Sequence, residues 1–119
     1  MSIHLEHVTF DAANAADLAA FWGGVFERPV DADATQYFAT VGRTDGGLSP
    51  VLMFIQVPEE RAGKNRLHLD LATTNWPAEI DRLVDLGAKR LGEYDEYGAH
   101  WVTLADPEGN LFDLAEIRA

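Results

Sequence analysis

The residues most able to do chemistry stand on two short segments with the same layout. In Arg66–Ala72, leucines alternate with His68 and Asp70, which is typical of a strand with one face on the core. Histidine and aspartate are unusual in mid-strand, so this polar face stands out. His7 lies in a similar setting 61 positions earlier. Imidazole and carboxylate groups can bind a metal or transfer protons. A single histidine in a strand is, however, more often a polar residue with satisfied hydrogen bonds than a metal ligand.

The elements around the two histidines indicate an internal repeat. An offset of about half the chain length predicts two copies of one unit, and an asparagine follows seven residues after each histidine, Asn14 and Asn75. In each copy the histidine strand is expected to lead into a helix capped by a short polar side chain. The order predicted is βαβ(β) followed by βαβββ, an α+β chain.

The predicted elements follow from hydrophobic periodicity and from turn residues. In the first half they are a strand at Ile3–Phe10, a helix at Ala15–Phe26 and strands at Gln36–Gly42 and Val51–Val57. In the second half they are a strand at Leu67–Ala72, a helix capped by Thr74 or Asn75 and stopped by Gly87, and strands at Ala88–Glu93, His100–Ala105 and Leu111–Ile117. Tyr94–Gly98 is predicted to be a turn.

Composition narrows the class of protein. A chain of 119 residues predicts one domain, 1–119, built from two modules at about 1–60 and 64–119. There are no cysteines, which excludes disulfides, thiolate metal sites and a cysteine nucleophile. A net charge of −11 argues against nucleic acid and anionic membranes as partners and is compatible with a cationic ligand. With neither a signal-peptide pattern nor an apolar stretch of about 20 residues, a cytoplasmic location is expected.

Five stretches together have the pattern of a known family. They are HVTF with LAAFW (His7–Phe10, Leu18–Trp22), KNRLHLDLA (Lys64–Ala72), LGAKR (Leu86–Arg90) and WVTLADPEGNLFDLAE (Trp101–Glu116). The chain resembles the glyoxalase/bleomycin-resistance/extradiol dioxygenase superfamily, also called vicinal oxygen chelate proteins. The resemblance covers essentially the whole chain and is greatest to the small glyoxalase-like domain proteins.

The resemblance implies a fold and a set of metal ligands. The fold is α+β, with two paired βαβββ modules forming a curved mixed sheet around a cleft, usually in a homodimer. A divalent metal (iron, manganese, zinc or nickel) occupies the cleft in such proteins, although some members bind none. Carried over by position, the ligands are His7, His68 and Asp113. The remaining ligand position falls within Met53–Val57, and this segment has no carboxylate. Gln56 is the only polar residue of the segment and is expected to contact the substrate.

Three roles are left open by these residues, and no catalytic residue is assigned. The first is a metal-dependent lyase, isomerase or dioxygenase acting on a small oxygen-bearing molecule. The missing carboxylate counts against a lyase or isomerase, whereas two imidazoles and one carboxylate suffice for a facial triad. The alternative is a non-catalytic small-molecule (drug) binding protein of the bleomycin-resistance kind. A structural dimer with a vestigial cleft is a third reading.

The aromatic and remaining polar residues are placed by the same reasoning. Tyr94 and Trp101, on a predicted turn and the strand beside it, are expected to line the cleft and to bind a planar or cationic ligand. Asp70 either orients an imidazole or pairs with Arg66 at the surface. His100, at the start of a predicted strand, is interpreted as a surface residue.

Overall fold

The computed structural model describes residues 3–118, which divide after Glu60 into two compact units. Met1, Ser2 and Ala119, at the ends of the predicted domain, lie outside the described residues. The elements of the first unit are β1 (His7–Ala12), α1 (Ala15–Phe26), β2 (Phe38–Val41) and β3 (Val51–Gln56). Those of the second are β4 (Leu69–Thr73), α2 (Trp76–Leu86), β5 (Lys89–Glu96), β6 (Ala99–Ala105) and β7 (Leu111–Glu116). The α+β class predicted from the sequence is confirmed.

The sheet of the first unit has the order β1-β3-β2, with β1 parallel to β3 and β2 antiparallel to it. Val30 forms an isolated antiparallel bridge with Val41, on the edge of β2 that β3 does not occupy. The described part of this unit therefore holds three regular strands, and the bridge stands where a fourth strand would pair. The observed order βαββ is the βαβ(β) predicted from the sequence, with its last strand present.

Helix α1 covers one face of this sheet. Asn14 caps it by accepting a hydrogen bond from the backbone N–H of Asp17 at 3.1 Å, and its bounds coincide with those predicted. Trp22, 1% exposed, packs on Phe10 of β1, which in turn stacks on Phe54 of β3. The apolar stripe of the helix thus forms the core of the first unit.

The sheet of the second unit has the order β4-β7-β6-β5, in which β4 and β7 are parallel and the other pairs antiparallel. Helix α2 begins at Trp76, has Pro77 in its first turn, and ends at Gly87, whose φ of 125° suits glycine. Trp76 fastens the helix to the sheet, because its Nε1–H donates to the Leu114 carbonyl at 2.9 Å. No helix within residues 3–118 is long and apolar enough to cross a bilayer.

Two boundaries in the second unit differ by more than one residue from those predicted. Strand β4 begins at Leu69, and Leu67 is 77% exposed, so the expectation that Leu67 faces the core is wrong. Strand β5 runs on to Glu96, and only Tyr97 and Gly98, both with positive φ, form the turn. Two central residues with positive φ match the right-handed twist of the flanking strands, which lets the hairpin continue to its tip. As a result Tyr94 lies inside a strand and not in a turn.

Candidate functional site

The side of the second sheet opposite α2 collects most of the polar and aromatic residues singled out from the sequence. Strand register places Asp70 opposite Asp113, Asp113 opposite Thr103, and Tyr94 opposite Trp101. Buried Val102, Leu104, Phe112 and Leu114 alternate with these residues and point toward α2. We call this side the helix-free face of the second sheet.

His68, Asp70 and Asp113 converge at one end of the helix-free face. The Nδ1 atom of His68 lies 2.8 Å from Oδ1 of Asp70 and 3.8 Å from Oδ2 of Asp113. Each of the three side chains offers a ligand atom within 4.8 Å of the other two. Asp113 is the least exposed of them, with a quarter of its side chain accessible, while His68 and Asp70 are half or more exposed. The structure therefore joins two of the three predicted ligands and adds Asp70 to them.

Thr103 fixes the orientation of the Asp113 carboxylate. Its hydroxyl donates to Oδ1 of Asp113 at 2.6 Å, across the β6–β7 pair. One carboxylate oxygen is thereby engaged, and the other is the one nearer to His68. No sequence signal identified Thr103, because its role depends on the register between two strands that sequence reasoning did not align.

The aromatic pair Tyr94 and Trp101 lies beside this acidic cluster on the same face. Their rings stack with centroids 5.5 Å apart and planes 24° apart. Gly92, opposite Thr103, makes room for the tyrosine, because a Cβ at position 92 would lie 2.9 Å from the Tyr94 hydroxyl. The tyrosine ring is thus folded back along β5 over Gly92.

In the first unit, His7, Thr9 and Asp11 alternate with Phe10 and lie on the side of the sheet away from α1. Thr9 pairs with Met53 in the parallel register that joins Asp70 to Asp113 in the second unit. Met53 is thus the repeat equivalent of Asp113, and a thioether replaces a carboxylate there. Because the two histidines lie in different units, the role of His7 as a ligand stays a prediction.

Gln56 lies on the opposite side of β3 from Met53. It pairs with Ala12, next to Val57 at the strand end, and its Nε2 donates to the carbonyl of Ala13 at 2.9 Å. This bond ties β3 to the start of the loop before α1. Substrate contact by Gln56 stays a prediction.

His100, interpreted from the sequence as a surface residue, is partly buried and has three close contacts. Its side chain is 18% exposed, contacts carboxylates of Glu93 and Glu116 through its two ring nitrogens, and packs against Trp76. Glu116 lies on the α2 side with Phe112 and Leu114, as its sequence parity predicted. The sequence carried no signal for this group, because its members come from three strands and a helix.

The donor atoms of the cluster fit a divalent metal. Two ligands of one ion, each about 2.1 Å from it, lie within about 4.2 Å of each other, and both His68 separations meet this condition. One imidazole and two carboxylates form a nitrogen–oxygen set that suits manganese, iron, zinc or nickel. The residues present therefore match the group that the family resemblance implied.

Comparison with known proteins identifies the family to which this fold belongs. The family model of the glyoxalase-like domain matches residues 7–115. The chain belongs to the glyoxalase-like domain family, and with it to the vicinal oxygen chelate superfamily. No curated protein matches the chain.

Several solved structures share this fold over nearly their whole length. A glyoxalase/bleomycin resistance protein/dioxygenase family enzyme from Burkholderia phytofirmans PsJN has a TM-score of 0.78 at 17% identity, covering 98% of this chain and 100% of its own. The fosfomycin resistance protein FosX from Mesorhizobium loti has a TM-score of 0.72 at 16% identity, with 99% and 95% covered. TioX from Micromonospora sp. ML1 has a TM-score of 0.62 at 14% identity, with 96% and 98% covered. At such identities the likeness concerns the fold.

Proposed function

We propose that the protein binds a divalent metal through His68, Asp70 and Asp113 and uses it to hold a small oxygen-bearing molecule on the helix-free face of the second sheet. The observation that carries this proposal is the convergence of three ligand atoms within 4.8 Å beside an aromatic pair. His7 is retained as a further ligand on the strength of the family resemblance alone.

Different residues of the protein would bind the carbon skeleton of the ligand and orient the metal ligands. The stacked rings of Tyr94 and Trp101 offer an apolar surface for the carbon skeleton of the ligand. Thr103 orients the carboxylate of Asp113, because its hydroxyl donates a hydrogen bond to one carboxylate oxygen. The metal, when bound, supplies Lewis acidity that polarises a ligand oxygen.

The number of donors favours one reaction class over another. Met53 stands at the equivalent of Asp113, so the first unit contributes no carboxylate at that place. A site with three protein ligands keeps open positions for substrate and dioxygen, although its one imidazole and two carboxylates differ from the two histidines and one carboxylate of facial-triad oxygenases. We therefore favour oxygen-dependent chemistry on a bidentate oxygen ligand over a lyase or isomerase reaction that needs a further carboxylate as base.

Metal-dependent melting tests the proposal. At a metal concentration of 100 Kd, ligand linkage stabilises the folded state by about 2.7 kcal/mol, which is roughly 10 °C for a domain of this size. His68→Ala is expected to remove the shift. His4→Ala is the matched control, because His4 contacts one carboxylate, Glu6, at 2.6 Å in an exposed position. Equal shifts in both variants would refute the ligand assignment.

Metal-independent binding of a planar cationic molecule is a second candidate. It is favoured by the acidic residues beside the Tyr94–Trp101 pair and by the net charge of −11. A basic aromatic drug should then quench tryptophan fluorescence saturably in the presence of a chelator, and Trp101→Leu should abolish the response. Saturable quenching that survives in Trp101→Leu would place the ligand elsewhere.

We also propose a homodimer, as is usual in this superfamily. Each chain has a mass of 13.1 kDa, so light scattering coupled to gel filtration separates monomer from dimer directly. A mass of one chain at micromolar concentration would contradict this part of the proposal.

A further inference from the structure

His100 makes two polar contacts that together define its charge. Its Nε2 lies 2.7 Å from a carboxylate oxygen of Glu93 on β5, and its Nδ1 lies 3.2 Å from a carboxylate oxygen of Glu116 on β7. An ionised carboxylate only accepts hydrogen bonds, so both ring nitrogens must donate. Only the imidazolium form has a proton on each nitrogen. The geometry therefore calls for a protonated ring.

An indole ring completes the surroundings of His100. The centroid of its ring lies 4.2 Å from that of Trp76, the first residue of α2. A cation this close to an indole is stabilised by the aromatic quadrupole. The two hydrogen bonds, to Glu93 and then to Glu116, also raise the pKa of His100 above its ordinary value. Several independent contacts thus favour the charged form.

Further charges belong to the same neighbourhood and to the elements packed around it. Arg118 donates to the Glu116 oxygen that His100 also contacts and lies 3.6 Å from Asp95. Helix α2 contributes the ion pair of Glu79 with Arg82, in which opposite charges offset each other. The acidic partners of His100 are thus Glu93, Asp95 and Glu116, with Arg118 as the competing cation.

The position of His100 connects this group to the helix-free face. His100 precedes Trp101 on β6, and Glu93 precedes Tyr94 on β5, so the aromatic pair lies directly across the sheet from the charged pair. We propose that His100 is a protonation-dependent clamp: as an imidazolium it joins β5 to β7 across β6 and positions the Tyr94–Trp101 pair, and loss of its proton releases β5. This proposal does not depend on which ligand the helix-free face binds.

The direction of the pH effect follows from linkage. Because the pKa of His100 is raised on folding, its contribution to stability is fully present below the unfolded value of about 6.5 and is lost as pH rises through the folded value. The β5–β6 hairpin should accordingly be held most firmly in mildly acidic solution and loosen toward alkaline pH.

A titration of the histidine ring carbons by NMR measures the clamp directly. The midpoint of His100 should lie above 6.5 and should fall in both Glu93→Gln and Glu116→Gln. The tryptophan fluorescence should increase as the pH rises through the same midpoint, because the imidazolium ring of His100 quenches the indole of Trp76. This increase should disappear in His100→Gln. A midpoint at or below 6.5, or one that neither variant moves, would overturn the proposal.

Amide hydrogen exchange tests the mechanical part. Comparison of variants at one pH cancels the intrinsic pH dependence of exchange. Below pH 6.5, β5 amides should exchange several-fold faster in His100→Gln than in the parent, and the difference should vanish above the folded midpoint. His4→Gln, which removes an exposed histidine–carboxylate pair, should leave β5 unchanged. If His100→Gln does not fold, Glu116→Gln is compared in the same way, and a pH-independent difference in β5 would overturn the clamp.

Discussion

Asp31 anchors a loop of the first unit, and its replacement should have a large and pH-dependent effect on stability. The residue is 7% exposed, and its carboxylate accepts hydrogen bonds from the hydroxyls of Thr40 and Thr44, each at 2.6 Å. It also accepts from the backbone N–H groups of Arg43 and Thr44 at 3.0 and 3.3 Å. Both carboxylate oxygens are engaged, so this one residue joins β2 to the loop that follows it.

The size of the effect can be worked out from those bonds. Asparagine keeps one acceptor oxygen and turns an amide N–H₂ toward groups that themselves donate. Two bonds to a charged acceptor are then lost, at roughly 1.5–3 kcal/mol each before relaxation. We expect Asp31→Asn to lower the free energy of unfolding by about 2–4 kcal/mol, a melting shift of roughly 10 °C.

The pH dependence distinguishes this mechanism from simple loss of packing. Burial by itself would raise the pKa of Asp31, but the hydrogen bonds from Thr40, Thr44 and Arg43 outweigh it and hold the pKa below its ordinary value. Its stabilisation is thus present above the unfolded value of about 3.9 and is lost as pH falls through the folded value. The difference between the parent and Asp31→Asn should therefore be largest near pH 7 and shrink in acid.

Urea unfolding at pH 7 and at pH 2, which is about two units below the unfolded pKa of Asp31, measures both quantities. Asp33→Asn, an exposed aspartate two residues along the chain, is the matched control and should change stability by less than about 0.5 kcal/mol. A loss below 1 kcal/mol for Asp31→Asn, or a loss that is equal at both pH values, would show that the carboxylate does not anchor this loop.

Two further predictions concern the helix-free face. Thr103→Val removes the hydroxyl that orients Asp113 and should therefore weaken metal binding by roughly tenfold. The melting temperature of the metal-free protein should stay almost unchanged. Calorimetric titration with manganese(II) measures the affinity, and an unchanged affinity would contradict the prediction. Gly92→Ala should displace the Tyr94 ring, because the new Cβ would lie 2.9 Å from the tyrosine hydroxyl. The near-UV circular dichroism of the stacked pair should change, and the free energy of unfolding should fall by less than about 1 kcal/mol. An unchanged spectrum would show that the position of the ring does not depend on glycine at position 92.

Sequence periodicity sufficed for most of the fold, because the signals involved are local. The bounds of α1 follow from its apolar stripe and the Asn14 cap, and the end of α2 follows from Gly87. The extent of β5 could not be predicted in the same way. Tyr94, Asp95 and Glu96 resemble turn residues by type, and only pairing with β6 makes them a strand. Tertiary context decides strand length more than propensity does.

The candidate site was predictable only where the repeat or the family motif marked a position. His68 and Asp113 were identified in that way, and the structure brings them together with Asp70. The roles of Thr103 and His100 were not predicted, because their partners lie on neighbouring strands and a single sequence does not give the register between strands. Gln56 was chosen as the only polar residue of its segment, whereas the register shows that Met53 occupies the equivalent of Asp113.

Metal content and metal-dependent melting test the central claim most directly. The protein would be purified without chelator, analysed for bound metal, and melted with iron(II), manganese(II), zinc or nickel, alongside His68→Ala and the control His4→Ala. Binding through His68, Asp70 and Asp113 predicts near-stoichiometric metal and a rise of roughly 10 °C at 100 Kd, lost only in His68→Ala. No bound metal and no shift with any of the four ions would contradict it.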